Sequence, residues 1–147
     1  MTIKLSEIAR PANVPQGTYT MMVTKQPVFG EIAQGKYETC DFMMKIISAT
    51  DDVDADDLKN FGDITQSVMR NRFMFNTEDK TLFDRSLYNI KRFLEEHLLI
   101  EGAKKKELKQ ALAEAVNHQC LATVTWRPDP KDPEIIYQEI KGTAPIV

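Results

Sequence analysis

The stretch YETCDFMMKIISA, Tyr37 to Ala49, decides the fold class. Cys40, Phe42, Met44 and Ile46 alternate with Thr39, Asp41, Met43 and Lys45. A period of two sends alternate side chains to opposite faces, so the segment is predicted as a β-strand with one buried face. Its length favours a curved sheet.

Moving towards the N-terminus, Gly17-Thr18-Tyr19-Thr20-Met21-Met22-Val23-Thr24 is rich in Thr, Tyr and Val and reads as a first strand, with Gly17 permitting a sharp entry. Pro27 and Gly30 end it, and Phe29 to Lys36 reads as a loop. Pro11 and Pro15 block regular structure in residues 1–16, an irregular arm.

In the other direction, Asp51 to Gly62 reads as an acidic loop with a helical turn near Leu58. Val68 to Phe75 reads as a third strand, Arg70 and Arg72 on one side and Met69, Phe73 and Phe75 on the other. At Asn76-Thr77-Glu78-Asp79 the pattern changes. Asn or Thr can cap a helix, and acidic residues suit its positive end. Phe83, Leu87, Ile90 and Leu94 then recur at helical spacing until Gly102. A second helix is predicted from Lys104 to Asn117, with Leu108, Leu112 and Ala115 on one stripe. His118 to Arg127 returns to strand character. Pro128 to Pro133 is a turn, Glu134 to Lys141 a last strand, and 142–147 a loose tail.

The order is three strands, helices, two strands. It predicts an α+β, mainly β chain: a five-stranded OB-like barrel with helices inserted between strands 3 and 4. One domain is expected over 1–147, its core at 17–141.

The 147 residues, 42% apolar and 28% charged, can bury a core of that size. No stretch approaches the roughly 20 apolar residues that span a bilayer. Met1 to Arg10 lacks the basic-then-apolar pattern of a signal peptide, so a cytoplasmic location and no membrane partner are expected. Cys40 and Cys120 each sit in an apolar run and are expected as buried free thiols, although a disulfide between neighbouring strands is an alternative. With only His97 and His118 beside them and no CxxC, a structural zinc site is not expected.

No nucleophile has a partner base in a known arrangement, and no glycine-rich phosphate loop is present, so no enzyme activity and no cofactor are expected. Asp52, Asp54 and Asp56 fit the first positions of a calcium loop. Asp57 stands where glycine is required and Asp63 where glutamate closes the site, so a solvated acidic loop is the better reading.

The net charge of −3 weighs mildly against a general nucleic-acid binder, but the charge is uneven: Asp51 to Asp57 holds five aspartates, while Lys104 to Lys106 is a basic run. Single strands are held by cations along the backbone and aromatic faces under the bases. On the usual OB surface this sequence places Lys36, Tyr37, Lys45, Arg70 and Arg72. The first loop adds Phe29, and the last hairpin adds Trp126, Arg127 and Lys131, with Tyr137 beside them. The plainer readings are that Phe42, Phe73 and Phe75 are core, that Trp126 is core or surface, and that Arg70 and Arg72 mark a solvated strand face.

Val14-Pro15-Gln16-Gly17-Thr18-Tyr19, a glycine-containing loop before a long strand, and the helical Tyr88-Asn89-Ile90-Lys91-Arg92-Phe93-Leu94 before the closing strands carry a resemblance. In layout the chain resembles phage-encoded single-stranded DNA-binding proteins of OB-fold type. The resemblance implies coating of single-stranded DNA in replication or recombination, with replication or recombination proteins as further partners. Many such proteins end in an acidic tail, whereas this chain ends Lys141-Gly142-Thr143-Ala144-Pro145-Ile146-Val147. An edge strand left by an unclosed barrel would allow a homodimer. The rival expectation is a protein-interaction module or inhibitory accessory factor working through the acidic loop 51–57.

Overall fold

A computed structural model describes residues 2–147. Met1, part of the arm predicted at 1–16, lies outside the described residues. Six strands form one antiparallel sheet: β1 (Gly17–Val23), β2 (Val28–Ile32), β3 (Tyr37–Ala49), β4 (Val68–Asn76), β5 (Gln119–Pro128) and β6 (Ile136–Ala144). Three α-helices accompany them: α1 (Ala55–Phe61), α2 (Lys80–Arg92) and α3 (Leu108–Glu114).

The long β3 organises the sheet. One edge of it pairs with β2 over Tyr37 to Asp41 and with β1 over Met44 to Ala49. The other edge pairs with β4 from Tyr37 to Lys45. β1 then pairs with β5, and β5 with β6. β2, β4 and β6 each pair on one edge only, and the run β4-β3-β1-β5-β6 ends in β4 and β6. The sheet curves until their Cα atoms come within 8 Å, but no ladder joins them and it stays open. The α+β class expected from the sequence is observed, as an open sheet of six strands where five were expected.

The alternation in β3 is realised. Cys40, Phe42, Met44 and Ile46 are fully buried, joined by Tyr19, Met21 and Val23 of β1 and by Cys120, Ala122 and Val124 of β5. The helical segment covers this face with Ile90, Phe93 and Leu94. Phe93 meets Phe42 with ring centroids 4.9 Å apart, and Phe73 meets Phe42 at 5.8 Å, both edge to face. The Tyr19 hydroxyl donates to the Pro15 carbonyl at 2.6 Å. Burial, helped by Asp52 and Asp57, pushes its pKa up to about 12.

Several boundaries differ from the sequence expectation for local reasons. Phe29 to Lys36 is not a simple loop, because Val28–Ile32 pairs with β3 and the turn follows at residues 33–36. Asp79, not Asn76 or Thr77, caps α2, its carboxylate accepting from Leu82 N at 3.1 Å. α2 ends at Arg92 in a π-helical turn, Phe93–His97, and Leu99 takes a left-handed φ of 53°. The second predicted helix shrinks to Leu108–Glu114. β6 runs to Ala144, opposite Leu121, so the tail is ordered further than expected. A bulge between Thr123 and Val124 accommodates that pairing.

Cys40 and Cys120 are buried free thiols. β1 lies between their strands. Met21, the partner of Cys120, sits opposite Ile46, six residues along β3 from Cys40. That offset is about 20 Å along the strand, far beyond disulfide reach. No described helix is long and apolar enough to cross a membrane.

Candidate functional site

The register of β3 and β4 sets the site. Arg70 lies opposite Met43 and Arg72 opposite Asp41. The alternation that buries Phe42 and Met44 therefore sends both arginines to the other face, along with Lys45. Met43 turns its carbonyl towards Thr24, 3.0 Å away on the β1 side. Its neighbours Phe42 and Met44 must turn their polar groups to β4, where they meet Asn71 and Met69. The backbone groups of Arg70 and Arg72 are left on the free edge. Ser86 Oγ confirms the phase there by donating to the Met74 carbonyl at 2.6 Å.

Across from that edge stands β6. Between them lies a cleft of ≈ 640 Å³, floored by Met69 and Ile140 and flanked by Arg70, Arg72, Arg127 and Tyr137. Three arginines and one tyrosine so line it from β4, β5 and β6. One carboxylate, Glu139, also lines the cleft, 3.2 Å from Arg127 Nε. Arg72 is held by Asp41 in a two-point ion pair, which raises its pKa further through the hydrogen bonds to Asp41. Arg70 has no carboxylate within ion-pair distance among the described residues.

Tyr137 is fixed on both sides. Its hydroxyl donates to Asp129 Oδ2 at 2.9 Å, a bond that raises its pKa. The Asp129 carboxyl is held below its ordinary range by the Lys131 backbone N–H first, then by Tyr137 and the Asp132 N–H. Arg10 stacks on the ring, its guanidinium carbon 4.5 Å from the centroid. Arg10 is a cation of this site that the sequence did not disclose, since it meets Tyr137 only through the fold.

The other predicted residues lie elsewhere. Lys45 shares the outer face of Arg70 and sits opposite Val68, at one end of the cleft. Lys36 closes the turn before β3 and Tyr37 begins the strand, with Lys36 Nζ 5.5 Å from the Tyr37 ring. Phe29 is 65% exposed on β2 but sits opposite Cys40, on the face away from the arginines. Trp126 is half-exposed, and its indole N–H donates to the Val14 carbonyl at 2.8 Å. Lys131 is exposed in the β5–β6 turn.

The acidic segment serves the fold in part. The Asp52 carboxylate accepts from the Thr18 N–H at 2.7 Å, from the Thr18 hydroxyl at 2.7 Å and from the Thr50 hydroxyl at 2.9 Å. Asp54 caps α1 by accepting from Asp57 N. Neither is left as an open ligand. Among the described residues no cluster of His, Cys, Asp or Glu is placed to hold a metal ion.

No protein-family model matches the chain, and no curated protein matches it in sequence.

Proposed function

We propose that the protein binds single-stranded DNA without sequence preference and without catalysis, coating it in replication or recombination, with phage replication as the setting. The observation that carries this reading is the convergence of Arg70, Arg72 and Arg127 with Tyr137 on one cleft. Cations spaced along a groove suit a phosphate backbone, and the ring offers a stacking face for a base. The exposed backbone edge of Arg70 and Arg72 adds N–H groups that phosphates accept from.

The fold reading that goes with it is an OB-type barrel with its last seam open. The strand order β4-β3-β1-β5-β6 and the helices between β4 and β5 support it. In that reading β2 continues β1 in the same direction, along the first part of β3.

The test is anisotropy of a labelled mixed-sequence oligonucleotide. Three phosphate contacts predict a log–log salt slope of about −2 on a single strand. Binding that weakens with salt, is poorer for duplex and drops in Arg70→Ala supports the proposal. No binding at low salt overturns it and leaves a protein partner as the reading to pursue.

A further inference from the structure

We propose that Glu139 is a releasable counter-ion for Arg127: it holds the guanidinium while the cleft is empty, gives it up to a phosphate of the strand, and so sets how tightly the cleft binds. This rests on the DNA-binding reading of the cleft. The register of the last hairpin places the pair. Arg127 lies opposite Tyr137, and Thr125 opposite Glu139. Alternate residues of a strand share a face, so Arg127, Tyr137 and Glu139 stand on one side of the hairpin and the ion pair runs diagonally across it. Glu139 thus puts a carboxylate among the cations of the cleft, two residues along β6 from Tyr137.

The cleft holds two paired arginines, and their pairs differ in kind. Asp41 grips Arg72 at two points, 2.7 and 2.8 Å, and its side chain is only 13% exposed. Opening that pair strands a largely buried carboxylate. Arg127 donates to Glu139 through Nε alone, at 3.2 Å, and the two side chains keep 55% and 43% of their exposure. A released Glu139 is hydrated at once, so giving up the pair costs the strand at most about fivefold in affinity. A phosphate repays that cost, because it carries a full charge and meets a guanidinium at two points. The exchange therefore takes place at Arg127. Arg72 stays with Asp41 and offers the strand only its remaining nitrogen.

Two consequences follow from the exchange. The empty cleft does not present a bare Arg127 to every passing anion. In the filled cleft the freed carboxylate stands beside the strand and repels it, which keeps the contact exchangeable.

The test titrates a labelled mixed-sequence single-stranded oligonucleotide at low salt with the wild type, Glu139→Gln, Arg127→Ala and the double variant. Circular dichroism first establishes that each is folded. Glu139→Gln is expected to bind about twofold to fivefold tighter than the wild type, the range set by one exposed pair. The same substitution should gain less in the Arg127→Ala background, where no pair is broken and only the repulsion of the carboxylate is removed. Glu31→Gln makes the same charge change on β2, outside the cleft, and should leave the affinity as it is. A Glu139→Gln gain that is absent, that is as large or larger without Arg127, or that Glu31→Gln reproduces would overturn the proposal and leave DNA binding in place. A wild type that binds no strand at low salt would remove the DNA-binding reading and this proposal with it.

Discussion

Arg72 and Asp41 face each other across β4 and β3 and meet at two points, Nε to Oδ1 at 2.7 Å and the second guanidinium nitrogen to Oδ2 at 2.8 Å. Asp41 keeps only 13% of its side-chain exposure and Arg72 25%. The two arginines of β4 therefore differ in kind, although the sequence presents them as a matched pair. Replacing Arg72 strands a largely buried carboxylate, whereas replacing Arg70 strands nothing. Arg72→Ala is expected to cost about 1–2 kcal/mol of stability, between the values for exposed and for buried pairs. Arg70→Ala should leave the urea midpoint unchanged, weaken DNA binding and flatten the salt slope by about 0.7. Equal stability loss in both variants would show that the ion pair does not hold β3 to β4.

Asp52 ties the start of β1 to the end of β3, and its pH dependence follows. Hydrogen bonds from the Thr18 N–H, then from the Thr18 and Thr50 hydroxyls, hold its carboxyl below the ordinary range. The folded-state value is lower than the unfolded value of about 3.9, so the stabilisation is present above that pH. It is lost as pH falls through the lowered folded-state value. Asp52 is exposed, which limits the effect through solvent screening. Asp52→Asn is expected to lower the urea midpoint at neutral pH and to reduce the further fall seen from about pH 5 to pH 3. A variant with the wild-type acid profile would mean that other carboxylates carry the acid sensitivity.

Much of the sheet was legible because burial writes a period of two into β3, β4 and β5. β2 was not, since Val28–Ile32 is exposed on nearly every residue and contains Gly30, so it shows no alternation. The helix ends were misjudged because tertiary contacts, not caps, stop them. Leu99 takes its left-handed turn while Leu98 and Ile100 on either side are buried. Of the site, the shared face of Arg70 and Arg72 could be read from their spacing. The tie to Asp41 depends on register across 31 residues. The meeting of Arg127 and Tyr137 with β4 depends on the curvature of the whole sheet, which no local pattern encodes.

The two thiols offer a check on the core. Burial pushes Cys40 and Cys120 each up to about 12, with Asp41 adding to the effect at Cys40. At pH 8 only about one thiol in ten thousand would be ionised, and the thiolate is the reactive form. Native protein is expected to give no reaction with a thiol-specific disulfide reagent over the time in which urea-unfolded protein gives two. Mild oxidation should leave the monomer uncrosslinked, as β1 separates the pair. Rapid reaction of one thiol in the native state would place its strand at a more open part of the sheet.

Gly17 is the position where a side chain is least tolerable. Its φ is +139°, and a Cβ built there would lie 2.6 Å from Val53 Cγ2. Val53 is buried and belongs to the loop that Asp52 anchors, so it cannot simply turn aside. Gly17→Ala is expected to cost about 1–3 kcal/mol through overpacking and backbone strain. Adding Val53→Ala should restore part of that loss in thermal unfolding. No recovery would assign the cost to the backbone alone.

Tyr137 separates stacking from scaffolding. The residue lines the cleft, while its hydroxyl holds Asp129 in the β5–β6 turn. Removing the ring should cost binding of a base, roughly 1–3 kcal/mol, or about 5-fold to 150-fold in affinity. Removing only the hydroxyl should cost stability of the turn but keep the stacking face. Tyr137→Ala is therefore expected to weaken binding to a single-stranded oligonucleotide, and Tyr137→Phe to keep it within about twofold, by less than the roughly 0.5–1.5 kcal/mol of one hydrogen bond. Arg10 already covers one face of the ring, so a stacked base must use the other face or displace it. Arg10→Ala distinguishes these two cases. Tighter binding in that variant means displacement, whereas weaker binding means that Arg10 contributes its charge to the strand. If Tyr137→Phe and Tyr137→Ala lose affinity equally, the hydroxyl bond to Asp129 shapes the cleft and the ring does not stack.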